Sequence, residues 1–281
     1  MNGVINVYKE KGYTSHDVVA IIRKRLGRVK TGHTGTLDPQ AEGVLPVCIG
    51  RATKLADYLM AADKSYRAEL ILGTTTDTDD QTGQVLSTSP VNYSEAAIQQ
   101  AVAFFEGTYM QMPPMYSALK IKGKKLYQLA REGKTVERKA REVIISCINI
   151  LEINENRIWM DVDCGKGTYI RSLCADIGQK LGCGGCMGDL IRTKSGSFTL
   201  ENASRIDEID KHSIIPIERA LPAPKAKLLG DTKQALNGNP IPLSQIEDAA
   251  ERCWLYHKDT LVGLYAIKGE VLKPEVMIYG S

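Results

Sequence analysis

Two hydrophobic periods alternate along the chain and divide it into elements. Val4 to Tyr8 forms a short apolar strand, and behind it Val18, Val19, Ile22 and Leu26 fall on one face of a helix. Thr14-Ser15-His16-Asp17 resembles a capping box at the start of that helix, and Gly27 stops it. Val44 to Ile49 is again a strand, Thr53 to Met60 a helix with Leu55 and Leu59 inward, and Tyr66 to Leu72 a half-buried strand. Ser94 caps a helix that buries Ala97, Ile98, Ala101, Val102 and Phe105 and ends at Gly107. A short helix through Leu126, Leu129 and Ala130 follows. Val143 to Ile153 and Arg157 to Cys164 then read as strands joined by a turn at 154–156; in the second, Ile158, Met160, Val162 and Cys164 alternate with polar neighbours. A glycine-rich turn feeds a last long helix with Leu173, Ile177 and Leu181 inward, which puts Tyr169 and Arg171 at a strand-to-helix junction.

Strands interspersed with helices, with a hairpin before the last helix, predict a mixed α+β fold around a mixed sheet, not a doubly wound parallel one. The composition breaks at LPAPK, residues 221–225. Beyond it the pattern predicts a short helix over Thr232 to Leu236, a turn at NGNP, and strands at Cys253 to His257, Leu261 to Ile267 and Val276 to Tyr279. The division is therefore a unit of residues 1–222 and a small β-rich module of residues 223–281, close to the minimum size that folds alone.

A hydrophobic share of 43% with 25% charged residues excludes disorder for most of the chain. The opening MNGVINVYKEKGY lacks a long apolar core and no spanning run occurs, so a cytoplasmic protein is expected. Seven cysteines, an odd number, argue against a disulfide framework. Cys183 and Cys186 form a C-x-x-C, but no second pair or paired histidines follow at zinc-ligand spacing.

The net charge of +3 hides an uneven distribution. From Lys120 to Arg141 nine Lys or Arg face only Glu132 and Glu137, and Tyr116 and Tyr127 interleave with the cations. Such a run is either a solvated face or a surface that tracks phosphates and stacks on bases. Arg23, Lys24, Arg25, Arg28 and Lys30 form a second basic group. The run TTTDTDDQTG, residues 74–83, fails as an EF-hand, because Gln81 and Thr82 occupy positions that need an oxygen-rich ligand and a glycine; it reads as a polar connection. The GKGT at 165–168 is half a P-loop without the rest.

One stretch follows neither period. TGHTGTLDPQAEGVLP, Thr31 to Pro46, holds His33, Asp38, three glycines and Pro39. Glycines allow close backbone approach, and the proline keeps Leu37 and Asp38 from helical geometry. The residues themselves fit two readings equally, a rigid loop presenting Asp38 or a plain Asp-Pro turn.

GHTGTLDPQAEGVLP resembles the signature of the tRNA pseudouridine-55 synthase family, and similar segments follow in order: KSYRAEL, TDTDDQTG, PPMYSALKIKGKKLYQLAREG and CGKGTYIRSL. The resemblance covers about the first 200 residues. It implies the pseudouridine synthase fold with a small PUA-like β-barrel appended, and isomerisation of the T-loop uridine of tRNA with no cofactor or metal. Asp38 matches the essential carboxylate, Arg171 the arginine paired with it, Tyr66 the tyrosine that stacks on the target base, and His33 the histidine associated with extruding the uridine. Tyr169 stands beside Arg171 in the matching segment. The basic segment, about residues 113–141, corresponds to a mobile insertion that closes on the T stem-loop, with Lys120, Lys122, Lys124 and Lys125 as phosphate contacts. The expected partner is tRNA and the expected state a monomer. Two other readings stay open: a non-enzymatic tRNA-binding or folding chaperone, and a hydrolase of N-glycosidic bonds.

Overall fold

A computed structural model describes residues 1–279 apart from Ala118, Lys122, Thr135 and Asp231; the side chains of Lys120, Ile121, Lys125, Arg131, Thr232 and Gln234 also lie outside the described set. Its centre is a mixed sheet. Along its main path the order is Ser204–Arg205, Gly3–Lys9, Glu42–Ile49, Gly185–Ser195, Lys64–Leu72, Arg157–Cys164, Arg141–Asn154 and Gly107–Gln111. Only two of these junctions are parallel, Gly3–Lys9 with Ser204–Arg205 and Glu42–Ile49 with Gly185–Ser195. The predicted mixed sheet is therefore present and largely antiparallel.

The first helix is Ser15–Arg25, and Thr14 and Asp17 close the capping box reciprocally. Its stripe of Val18, Ile22 and Leu26 packs on Ile5, Val7, Leu45 and Val47. Across the other half of the sheet, helices Glu95–Ala103 and Ile170–Leu181 cover Ala68, Leu70, Met160 and Val162.

The structure departs from the sequence pattern at four places. Residues 53–60 begin as a 3₁₀ segment, Gly50–Leu55, before the helix Ala56–Ala61. The capped helix stops at Ala103, and Gly107, at φ 89°, opens an edge strand, Gly107–Gln111, whose alternation is too short to register. The eleven-residue strand Gly185–Ser195 was invisible, because GCMGDLIRTKS mixes glycines with Asp189, Arg192 and Lys194 and shows no period; strands on both sides let it bury polar residues against backbone. In the final module the third strand is Val271–Met277, starting five residues earlier than its apolar end suggests. Pro274 sits at a register irregularity opposite Tyr265, where a residue without an N–H is tolerated.

The final module is a six-stranded sheet, Ile241–Pro242, Val271–Met277, Thr260–Lys268, Arg252–His257, Lys225–Leu228 and Ile246–Glu247 in that order. One apolar cluster joins it to the larger unit: Trp254, Leu264, Val276 and Ile278 pack with Val4, Val44, Leu55 and Ile217. Trp254 is fully buried and its indole N–H donates to the Leu221 carbonyl at 2.9 Å. Among the described residues no helix is long and apolar enough to cross a membrane.

Candidate active site

The irregular stretch forms a short strand, Thr31–His33, then a loop, then the strand Glu42–Ile49. Each part of the loop is tied down. The Thr34 N–H and hydroxyl both donate to Pro46 O, at 3.0 and 3.2 Å. The Ser15 hydroxyl donates to Leu37 O at 3.1 Å and accepts from Leu37 N–H at 2.9 Å. Ala41 N–H donates to Asp38 O at 3.1 Å, which makes Asp38-Pro39 the head of a tight turn. Buried Leu37 anchors the loop in the main core. The two readings of this stretch are thus both true of its backbone; the partner of Asp38 distinguishes them.

Arg171, in the first turn of the helix Ile170–Leu181, places its Nε 3.1 Å from Asp38 Oδ2. The arginine is buried while the Asp38 side chain is 43% exposed, so the cation belongs to the protein interior and the carboxylate faces outward. Two carbonyl acceptors and a second carboxylate fix the guanidinium: Thr78 O at 3.2 Å and Tyr116 O at 2.6 Å accept from it, and Asp80 Oδ2 lies at ion-pair distance, 3.6 Å. Asp80 is held in turn, its Oδ1 accepting from the Thr82 N–H and hydroxyl and from the Thr78 hydroxyl. By its own residues the TDTDDQTG run reads as a polar connection, and the family resemblance of the segment assigns Asp80 no role; the arginine that it serves lies some ninety residues away.

Tyr66 lies on the strand Lys64–Leu72, opposite Arg192 of the neighbouring strand, and packs half-buried against the core. Burial pushes its phenol pKa up, and the nearby charge of Arg192 opposes that rise. His33 accepts from Gly35 N–H through Nδ1 at 3.4 Å and meets His16 edge-on, ring centroids 5.3 Å apart. Burial, and then the charges of His16 and Arg192, pull the His33 pKa down, which favours neutral imidazole. Tyr169 is the residue preceding the Arg171 helix; its N–H and C=O are both clamped by the Gln111 side chain, at 2.8 and 3.0 Å. Burial raises its phenol pKa.

Of the proposed phosphate contacts, Lys124 is exposed in a two-residue strand, Lys124–Lys125, paired with Lys120–Ile121. Lys122 and the side chains of Lys120 and Lys125 fall outside the described residues. The segment around them is joined to the site through Tyr116 O on Arg171 and through Met112 O, which accepts from the Ser172 hydroxyl at 3.0 Å.

Two buried cations went unnoticed in the sequence. Lys9, fully buried, donates to Tyr13 O, Glu10 O and Pro39 O at 2.7, 3.0 and 3.2 Å, bracing the residue after Asp38. Burial draws its ammonium down to about 8, against the opposing charges of Asp38 and Glu42. Arg192 is 1% exposed and donates to Val44 O at 2.7 Å and Gly35 O at 3.2 Å. Cys174, Cys183 and Cys186 are all buried, and no group of His, Cys, Asp and Glu with metal-holding geometry occurs among the described residues. The site offers an outward carboxylate on a fixed arginine. Such a set can stabilise or add to an electron-poor sugar carbon.

A solved Cbf5-Nop10-Gar1 complex contains a chain that superposes with a TM-score of 0.73 at 30% identity, covering 98% of this chain and 84% of that one. A second, an H/ACA RNP bound to a substrate RNA containing 2′-deoxyuridine, gives 0.72 at 27% identity over 99% and 85%. Residues 23–170 match the TruB family pseudouridylate synthase N-terminal domain, and residues 171–221 the tRNA pseudouridylate synthase B C-terminal domain. The tRNA pseudouridine synthase B of Alkaliphilus oremlandii is 45% identical over 282 residues, 96% of this chain and 94% of its own; that of Clostridium novyi is 55% identical over 76% of this chain and 74% of its own. The chain belongs to the TruB family of pseudouridylate synthases and is an isomerase. The family boundary at 170/171 is no structural boundary: it falls in the helix that carries Arg171, and the matched residues beyond it supply the mid-sheet strand Gly185–Ser195.

Proposed function

We propose that this enzyme converts the uridine at position 55, in the T-loop of tRNA, to pseudouridine, with Asp38 as the catalytic carboxylate. The observation that carries the reading is the 3.1 Å pairing of Asp38 with buried Arg171, two residues 133 positions apart, with the carboxylate left facing outward. Curated relatives that span nearly the whole chain are tRNA pseudouridine synthases, which supports tRNA as the substrate.

In this reading the target base leaves its stack and enters the cleft, with the neutral His33 filling the space behind it and Tyr66 against its face. Asp38 then acts at the nucleotide, by addition to C1′, by addition to C6 or by removing the 2′ proton. The N1–C1′ bond breaks, the base turns, C5 bonds to C1′, and the C5 hydrogen leaves as a proton while N1 gains one. Arg171 holds the carboxylate in place, and Tyr169 stands at the mouth beside it. Residues 1–222 are the catalytic unit, residues 113–141 its phosphate-binding insertion through Lys120, Lys122, Lys124 and Lys125, and residues 223–281 a PUA-like RNA-binding module. The same reading has the enzyme acting on cytoplasmic tRNA as a monomer.

The test is to incubate full-length tRNA carrying 5-tritiated uridine with the enzyme, then map pseudouridine and chromatograph the products. Stoichiometric tritium release with one modified T-loop position is the expected result. Free uracil would identify a hydrolase, and binding without release a chaperone alone; modification elsewhere would overturn the site assignment.

A further inference from the structure

Arg192 has a place in the sheet that no other buried cation shares. On the strand Gly185–Ser195 its register partner on one side is Gly43, at the end of the Asp38 loop, and on the other is Tyr66. The approach to Gly43 is so close that a Cβ there would run into the Arg192 backbone; Gly43 adopts φ 105°, which only glycine takes without strain. The guanidinium Nε donates to Val44 O at 2.7 Å and Nη2 to Gly35 O at 3.2 Å. Those carbonyls bracket Asp38 on its two sides in the chain. Tyr66 is its register neighbour on the adjacent strand, and the charge of Arg192 lies close enough to favour the phenolate. No carboxylate lies within ion-pair distance of it among the described residues. A buried cation held by dipoles alone is expensive, and replacement by an apolar side chain would often stabilise a fold. Its retention calls for a role other than stability.

We propose that Arg192 is a positioning residue for the isomerisation, a single residue that sets the Asp38 loop in fixed relation to the strand that carries Tyr66. Two donor directions on one rigid plane hold the two loop carbonyls; the ammonium of lysine, a compact point charge, cannot reach both acceptors with the same geometry. The cation also opposes the burial that makes the Tyr66 phenol hard to ionise. The inference rests on the reading of Asp38 and Tyr66 given above.

The experiment compares Arg192→Lys and Arg192→Met in single-turnover isomerisation of T-loop RNA, with RNA affinity, thermal unfolding and the pH dependence of the rate measured alongside. The methionine variant is expected to lose about 100-fold in rate, the scale of a misplacement near 1 Å, while RNA affinity stays within about threefold. Its alkaline limb should move to higher pH, since the charge that assists Tyr66 ionisation is gone. Lysine should restore the position of the limb but only part of the rate. A structural role alone would lower the rate equally at all pH values, leave the limb in place and weaken RNA binding in step, and that result overturns the proposal. If the methionine variant does not fold, a double-mutant cycle of Arg192→Lys with Tyr66→Phe decides: non-additive losses support the coupling, additive losses overturn it. An unchanged rate in Arg192→Met together with an inactive Asp38→Asn would remove this inference alone; activity in both would remove the reading beneath it.

Discussion

At the scale of single residues, the candidate site divides into groups singled out by pattern or family resemblance and groups that hold them. The first kind was legible in the sequence. Asp38 sits in a run no period explains, and Arg171 and Tyr66 were found through segments resembling a known family. Lys9 and Arg192 were not, because a buried cation braced by carbonyls leaves no mark in the local pattern; Asp80 lay in a segment resembling the family but drew no role of its own. Asp176, half-buried near Tyr109, carries no mark in the local pattern either. Burial, and then the neighbouring charge of Asp79, push its carboxyl up to about 6. The folded protein therefore takes up this proton before the unfolded chain as pH falls, so ionised Asp176 opposes folding. That penalty is absent below about pH 4, grows between about 4 and 6, and is complete above. Asp176→Asn should thus stabilise the fold by roughly 1–2 kcal/mol at pH 7.5. The gain should vanish near pH 4, as urea unfolding at the two pH values would show.

At the scale of elements, periodicity found the capped helix Ser15–Arg25, the hairpin of Arg141–Asn154 with Arg157–Cys164, and the helix that presents Arg171. It missed Gly185–Ser195, the strand joining the half that carries Asp38 to the half that carries Tyr66. That strand is reached from the Arg171 helix through a close crossing at Gly178, where a Cβ would collide with the backbone of Gly184 and Gly185. Alanine is the better helix former by about 1 kcal/mol, yet Gly178→Ala should destabilise by about 2–3 kcal/mol, because backbone and not a flexible side chain must move. Denaturant unfolding measures it. A neutral or stabilising result would mean that helix and strand can separate without loss.

At the scale of the whole molecule, the final module shares an apolar cluster with the catalytic sheet. Trp254→Ala should accordingly cost about 3–5 kcal/mol and lower the stability of the entire chain, not of the module alone. Two separate calorimetric transitions, with only one shifted, would show the cluster to be dispensable. Charge was legible as a whole-molecule property, but nine cations in one segment against a net charge of +3 left open a solvated face or a polyanion contact. Replacing Lys122, Lys124 and Lys125 with alanine should flatten the slope of log affinity against log salt by about 2–3. An unchanged slope would take that segment off the phosphates.

All of these arrangements converge on one carboxylate, and one measurement tests its role most directly. Tritium release from 5-tritiated T-loop uridine should be at least about 1,000-fold slower with Asp38→Asn than with the natural enzyme, while RNA affinity changes by less than about threefold. Asparagine keeps the shape of the turn and removes only the charge opposite Arg171. Release at the natural rate in that variant would contradict the account.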